Sequence, residues 1–452
     1  MNGGSQALHT DFYQITMAAA YHGQGMNDEA TFSLFARKLP EQRGFMVAAG
    51  LDDALSYLES FCFQPAEIEY LASLKRFSDQ FLASLSGLRF RGQVWALPEG
   101  TVFFADEPVL EVTAPLIEAQ LVETRLIQII NLHTTLASKA ARCTLAAQGR
   151  TCVDFSLRRT QGLEAGWAAA RSSAIAGFLG TSNVEASRRL GTVPVGTMAH
   201  AFVEAYGDER KAFRAFADTF PQHTVLLVDT YDSVAGLHRA VEVAAQLKAQ
   251  GHRLVGVRLD SGDLVSMSRQ AREILNQAGL EDARVVASGS LDEDRLAELV
   301  ARGAQVDVFG VGTRMGSSAD APYLDFAYKL VSYQDRPTLK LSAGKETWAG
   351  AKQVWRTPDA QGRIAQEVLG LRPEKQAGQP LLEQVMDRGR RLAPAEDWRQ
   401  AHQRFQAQLA ALPEPCLRLS DPRPLKVKAS LALQQLQVRA RQAALDRQSI
   451  RP

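Results

Sequence analysis

The sequence predicts an α/β fold: an irregular, TIM-like α/β barrel joined to an α+β domain assembled from both the N- and C-terminal parts of the chain. Three observations carry this expectation. Between Thr151 and Gly316 short apolar runs alternate with helical stretches, the pattern that builds a parallel sheet. The runs end in clusters of Gly, Ser, Thr, Asp, Arg or His: DFSLRR (Asp154 to Arg159), GTSN (Gly180 to Asn183), GTMAH (Gly196 to His200), DTYD (Asp229 to Asp232), RLDSGD (Arg258 to Asp263), SGS (Ser288 to Ser290) and GVGT (Gly310 to Thr313). Loops at the carboxyl ends of barrel strands carry the chemistry of such enzymes. Outside this region helices mix with strands and hairpin signals.

The elements follow in order. Thr10 to Tyr21 reads as a helix capped by Thr10 or Asp11, with Phe12, Ile15, Ala19 and Ala20 as its apolar residues. Thr31 to Arg37 alternates as a strand, and Gly44 to Leu58 is a Gly turn running into an amphipathic helix. Val94 to Leu97 and Val109 to Val112 are strands around the PEG and DEP turns. Ile117 to Ala147 is a long helix that leads into the first barrel strand, Thr151 to Phe155. Helices are expected at Ala165 to Phe178, Ala201 to Phe220, Val234 to Ala249, Leu264 to Ala278 and Asp292 to Ala301. Between them lie strands at Val225 to Val228, Leu254 to Leu259, Arg284 to Ala287 and Val306 to Val311. Six or seven strands are visible, fewer than an eightfold barrel has, so the barrel is expected to be irregular. After Lys329 short strands at Leu339 to Leu341, Gln353 to Arg356 and Ile364 to Val368 are expected to join the N-terminal strands. Asp397 to Leu412 and Ala429 to Leu445 are amphipathic helices. The domain expectation is therefore 1–120 as N-terminal α+β domain, 121–335 as barrel, and 336–452 packing with the N-terminal domain.

Composition limits the classes of function. At 452 residues, with 46% hydrophobic and 22% charged residues, the chain can bury a large core. A formal net charge of +1 gives no global attraction for nucleic acid, so any anion must be held locally. Cys62, Cys143, Cys152 and Cys416 form no CxxC pair and read as reduced thiols of a cytoplasmic protein. No signal peptide and no apolar run of membrane-spanning length is present, so no membrane association is expected.

SGS and GVGT end the last two barrel strands, where glycine turns let backbone N–H groups converge on a phosphate. DTYD and RLDSGD place four carboxylates on one rim, a donor set that suits Mg²⁺ with substrate phosphates as its other ligands. Asp232 and Asp263 stand equally well as helix caps; Asp229 and Asp260, nearer the strand ends, are the candidate metal ligands. Arg158, Arg159 and Arg258 follow buried runs, where a guanidinium is a fork for carboxylate or phosphate. His200 follows a Gly-Thr turn just before a helix, which suits a base or a nucleophile towards phosphate.

In this order the clusters resemble the nicotinate phosphoribosyltransferase family. The carrying residues are TDFYQITMA (Thr10 to Ala18), FARKLPEQRGFMVAAGL (Phe35 to Leu51), DFSLRRTQG (Asp154 to Gly162), GTSNV (Gly180 to Val184), GTMAHAF (Gly196 to Phe202), GVRLDSGDL (Gly256 to Leu264), and GVGT with the downstream YKLV (Tyr328 to Val331). The resemblance implies transfer of phosphoribose from 5-phosphoribosyl 1-diphosphate to nicotinate, giving nicotinate mononucleotide for NAD synthesis, with Mg²⁺ as cofactor and ATP as co-substrate. It implies that His200 is phosphorylated by ATP and that Tyr13, Thr197 and Arg258 contact nicotinate. Ser288 with Gly289, and Thr313 with Gly310 and Gly312, would cradle the 5-phosphate, while Arg158 and Arg159 meet the diphosphate and Asp260 joins Arg258 and His200 in the catalytic set. The resemblance also implies a homodimer with shared active sites. One departure is Ser156, where the family usually has Gly; glycine there would allow a closer backbone approach. The rival readings are the same chemistry on nicotinamide, a metal-dependent barrel lyase or aldolase, and a catalytically silent binding protein.

Overall fold

Five parallel strands organise the segment that holds the clusters: β1 (Thr151–Asp154), β2 (Val225–Leu227), β3 (Gly256–Leu259), β4 (Arg284–Ala287) and β5 (Val308–Val311). They stand in the order β1-β5-β4-β3-β2. Each of β2 to β4 thus lies beside its successor in the chain, and the last pairs with the first, Val308 opposite Thr151 and Val311 opposite Asp154. Beyond β1 the arc continues through a single parallel bridge from Asp154 to Thr181, and the Val195 N–H donates to the Thr181 carbonyl at 3.0 Å. This cyclic order is that of an irregular TIM-like barrel. The structure is a computed structural model and describes residues 7–342 and 346–448.

Two of the expected barrel strands are therefore reduced to a bridge and one hydrogen bond. Asn183 turns the chain out of the sheet by capping the helix Val184–Leu190 through the Ala186 N–H, and Pro194 lacks the N–H that a central strand requires. The remaining strands bury Val153, Leu226, Val257, Val285 and Phe309, and the flanking helices bury Leu237, Ala271, Leu275 and Leu296. The continuous helix expected over Ala201 to Phe220 is two, His200–Tyr206 and Glu209–Thr219. Gly207 adopts φ +64°, and Asp208 recaps the chain by accepting from the Arg210 and Lys211 N–H groups.

Leu136–Pro322 makes up this unit, and the chain up to Thr135 together with the chain from Tyr323 makes up a second. The second unit is built on a seven-stranded antiparallel sheet in the order Arg336–Pro337, Phe326–Tyr333, Glu29–Ala36, Pro108–Pro115, Gln93–Ala96, Glu383–Asp387, Arg390–Arg391. Both ends of the chain contribute, but through strands other than those expected. Lys352–Pro358 and Ile364–Leu371 form a separate sheet with Gln379–Pro380 and Lys428–Ala429, and Leu339 to Leu341 is not a strand. In the core the ring of Phe32 stacks on Tyr328 at 4.8 Å, and the Tyr328 hydroxyl donates to the Ala119 carbonyl. Among the described residues no helix is long and apolar enough to cross a membrane.

This second unit also buries charge. Arg356 donates through Nε to Glu367 at 2.5 Å and through Nη1 to Gln408 at 2.7 Å, while Glu107 accepts from the Phe104 N–H at 2.8 Å. Burial, reinforced by neighbouring Glu367, holds the Glu107 carboxyl well above the usual carboxylate range. Folded Glu107 thus keeps a proton that the unfolded chain has lost, so stability falls as pH rises from the ordinary carboxylate value through the raised one. Urea unfolding across that interval should show this slope, and Glu107→Gln should flatten it. Glu367→Ala should cost about 3–5 kcal/mol, because it strips Arg356 of its buried carboxylate.

Candidate active site

A cavity of about 420 Å³ opens where the strands end, lined among others by Phe155, Arg158, Thr197, His200, Arg258 and Asp260. Arg258, inside β3, lines it with a side chain only 14% exposed. Its Nε donates to Ser288 Oγ at 2.8 Å, Nη1 to Thr197 Oγ1 at 3.2 Å and to the Met198 carbonyl at 3.4 Å, and Nη2 to Asp260 Oδ1 at 2.6 Å. The guanidinium also lies 5.4 Å from the centre of the Phe155 ring, within cation–π range. One side chain thereby ties together segments that follow β1, β3 and β4 and the stretch before His200.

Asp260 is the anionic partner. Burial disfavours its ionised form, but hydrogen bonds from Ser288 and Arg258 and the positive charge of Arg258 outweigh that and hold its carboxyl below the usual range. Asp229 supports it from the segment after β2: its Oδ2 accepts from the Asp260 N–H at 2.8 Å and the Ser261 hydroxyl at 2.7 Å. Asp229 Oδ1 is buried and has no hydrogen-bond partner among the described residues. Asp232 and Asp263 are caps, accepting from the Ala235 and Val265 N–H groups, so for these two the structural reading holds. Among the described residues no three His, Cys, Asp or Glu side chains gather as a metal site. Asp229 and Asp260 offer a pair.

His200 opens the helix His200–Tyr206, and its Nδ1 lies 3.1 Å from Thr230 Oγ1. That contact orients the imidazole and leaves Nε2 without a hydrogen bond among the described residues. Sequence reasoning misses Thr230, although it sits inside the DTYD cluster. It also misses Phe155 and Asp154. Asp154 ends β1 fully buried and accepts from Thr181 Oγ1 at 2.6 Å and from the Ser156 N–H at 2.8 Å; burial pushes its carboxyl up despite these bonds. A carboxylate followed directly by the aromatic of a rim loop is the signal that could have found both.

The glycines of the rim have separate reasons. Gly289 adopts φ +92°, and a Cβ there would lie 2.0 Å from the Asp260 carbonyl oxygen, so the loops after β3 and β4 touch backbone to backbone. Gly310 lies within β5, where a Cβ would fall 2.6 Å from the Phe155 ring, so the bare Cα leaves room for that ring. Gly312 precedes the one-turn helix Thr313–Gly316, and Thr313 is exposed. Ser156 is buried against Gly316, whose missing Cβ leaves the space it occupies. Arg158 and Arg159 are exposed on a 3₁₀ turn with no carboxylate partner among the described residues. Of the expected site residues, Tyr13 alone belongs to the other unit, where it stands 49% exposed on the helix Phe12–Gly23.

Comparison with known proteins sets this arrangement in a family. Residues 8–131 match the nicotinate phosphoribosyltransferase N-terminal domain, 150–346 the nicotinate phosphoribosyltransferase family domain, and 373–437 its C-terminal domain. The chain belongs to the nicotinate phosphoribosyltransferase family. It is 46% identical to the nicotinate phosphoribosyltransferase pncB2 of Mycobacterium tuberculosis over 424 residues, covering 92% of this chain and 89% of that protein. Over 362 residues it is 42% identical to the nicotinate phosphoribosyltransferase of Bacillus subtilis, covering 78% and 73%. The crystal structure of human nicotinic acid phosphoribosyltransferase superposes with a TM-score of 0.86 at 30% identity, covering 95% of this chain and 99% of that one. A nicotinate-nucleotide pyrophosphorylase from Pyrococcus furiosus shares the fold, with a TM-score of 0.74 at 24% identity over 90% and 95% of the two chains.

In this member of the family the backbone contact at Gly289 can be tested directly. Gly289→Ala should destabilise by about 2 kcal/mol or more, since it meets both a left-handed backbone and a carbonyl. Gly196→Ala, with open space around its Cα, should cost less than about 1 kcal/mol. Denaturant titration of the two variants separates them.

Proposed function

We propose that the protein is a nicotinate phosphoribosyltransferase in NAD biosynthesis, serving the salvage of nicotinate, and that ATP hydrolysis is coupled to it through phosphorylated His200. The reaction joins the ring nitrogen of nicotinate to C1 of 5-phosphoribosyl 1-diphosphate; the C1–O bond breaks and diphosphate leaves. The observation that carries this reading is Arg258, a cation held in the lining of a strand-end cavity with Thr197, Asp260 and Ser288 as its partners. A buried guanidinium next to a hydroxyl recognises a carboxylate, and the Phe155 ring supplies a flat wall for an aromatic base.

The pyridine nitrogen attacks with its own lone pair, so no base is required. The demand falls on stabilising the departing diphosphate and the oxocarbenium-like sugar. Arg158 and Arg159, exposed and free of carboxylate partners among the described residues, are the cations for the diphosphate. The Ser288–Gly289 turn, with Gly310, Gly312 and Thr313, is the cradle for the 5-phosphate. Asp229, whose buried Oδ1 has no partner among the described residues, fits a ligand for Mg²⁺, with Asp260 beside it; the ion would supply charge neutralisation to the diphosphate. In the ATP step the His200 Nε2 lone pair forms the bond to the γ-phosphorus, ADP departs, and water later hydrolyses the phosphoramidate. Thr230 fixes the ring through Nδ1 for that attack. We further infer a homodimer in which Tyr13 of one protomer serves the site of its partner.

Incubation with γ-labelled ATP should place acid-labile, base-stable label on His200, and His200→Ala should abolish it. Absence of label on the wild type would overturn the coupling. Nicotinamide is the second reading, and Arg258 argues against it: Asp260 engages one side of the guanidinium, and an amide, unlike a carboxylate, brings no charge for its remaining N–H group. The ratio of kcat/KM for nicotinate over nicotinamide should be at least about a hundredfold, and a ratio near one would overturn the carboxylate assignment.

A further inference from the structure

Behind the strand-end loops lies a group of charges that the reaction does not use. Asp292 follows the Ser288–Ser290 turn by two residues and caps the helix Glu293–Ala301 by accepting from the Arg295 N–H at 2.9 Å. Its second oxygen takes Arg314 Nη1 at 2.6 Å, and Arg314 is the neighbour of Thr313. One residue further on, Glu293 is buried and paired with Lys139 and with Arg142, the latter at 2.8 Å. Lys139 also reaches Asp320 at 2.7 Å, and the Ala319 N–H donates to the Arg314 carbonyl at 3.0 Å, which folds the chain back from Asp320 towards Arg314. The Arg314–Asp292 pair and the Arg142–Glu293–Lys139–Asp320 group are thus joined through the backbone, at Asp292–Glu293 and at the Arg314–Ala319 turn, into one assembly running between the two glycine turns.

We propose that this six-residue clamp fixes the spacing between the Ser288–Ser290 turn and the Gly312–Thr313 turn, making Asp292 and Arg314 positioning residues for the 5-phosphate of the phosphoribosyl substrate. The inference rests on the phosphate-cradle reading given above and names what holds that cradle. Two features make the spacing something that must be imposed. Gly289 at φ +92° and Ser290 at φ +51° are consecutive left-handed residues, and for serine that conformation persists only where the surroundings hold it. The Thr313–Gly316 helix is a single turn of four residues, which cannot set its own position. Asp292 and Arg314 are the points at which the clamp grips each turn.

The discriminating variants are Arg314→Gln and Asp292→Asn. Arg314 is 55% exposed, so its loss leaves the buried Lys139–Glu293–Arg142 group intact, and Asn keeps the helix-cap acceptor. Each variant should raise KM for 5-phosphoribosyl 1-diphosphate by about tenfold, with kcat and KM for nicotinate within about twofold of the wild type. The double variant should be no worse than either single one, since both break the same contact. A purely structural role predicts a lower melting temperature and less active enzyme with KM unchanged; that result, or additive effects in the double variant, overturns the clamp. Calorimetric binding of 5-phosphoribosyl 1-diphosphate keeps the two layers apart. Wild-type binding that both variants match refutes the clamp alone, whereas a wild type that neither binds nor turns over this substrate refutes the cradle and the clamp with it.

Discussion

A single guanidinium sets the arrangement of the strand-end rim. Arg258 is mostly buried, and a cation there is tolerated only if its donors are met. They are met by groups from separate stretches: Ser288 after β4, Thr197 and Met198 before the His200 helix, and Asp260 after β3. Each stretch is a loop without regular structure of its own at that point, so its position depends on the bond it makes. The cost of leaving a buried charge unpaired therefore becomes the force that gathers the rim. Asp260 carries the same constraint outward, because Asp229 receives its N–H and so joins β2 to the set.

Close packing supplies what hydrogen bonds alone do not. The Phe155 ring sits near Arg258 on one side and on the bare Cα of Gly310 on another, so the strand interior is shaped to bring an aromatic wall to the cavity. Ser156 turns away into the space left by Gly316. This accounts for serine standing where relatives are expected to have glycine: the volume it adds is absent on the facing residue. The Gly289 contact with the Asp260 carbonyl locks the ends of β3 and β4 at van der Waals distance, which no side chain would permit.

Much of this was legible in the sequence, and the reasons for success and failure differ. The strands of the parallel sheet were readable because burial on both faces makes near-continuous apolar runs, as in Val285 to Ala287 and Phe309 to Val311. The rim clusters were readable because polar residues directly after such runs stand where a buried strand emerges at the face that meets ligands. What failed was pairing. Ile364–Leu371 pairs with the adjacent Lys352–Pro358 as an antiparallel hairpin, but nothing local says that this hairpin stays out of the larger sheet while Glu383–Asp387 joins Gln93–Ala96, a partner hundreds of residues away in the chain. Gly207 and Asp208 did carry a visible break signal within the Ala201 to Phe220 helix, and the apolar periodicity on either side masked it. Thr230 and Asp154 were hidden for another reason: their importance lies in the atom they meet, His200 Nδ1 or Thr181 Oγ1, and spacing does not encode that.

The commitments of Arg258 bear on how such a cavity receives an anion. With Ser288, Thr197, Met198 and Asp260 already engaged, the guanidinium does not present an empty fork. On the proposed reading, an incoming carboxylate would meet the remaining Nη2–H and share Thr197, whose hydroxyl donates at 3.2 Å to the Met198 carbonyl. Binding is then an exchange of partners around a cation whose position is fixed beforehand, and little side-chain entropy remains to be lost. The same logic holds for Asp260, kept ionised by Ser288 and Arg258 despite its burial. The charges of Arg258 and Asp260 are thus met within the rim, while the exposed Arg158 and Arg159 and the buried Asp229 Oδ1 are, among the described residues, groups that no other side chain engages.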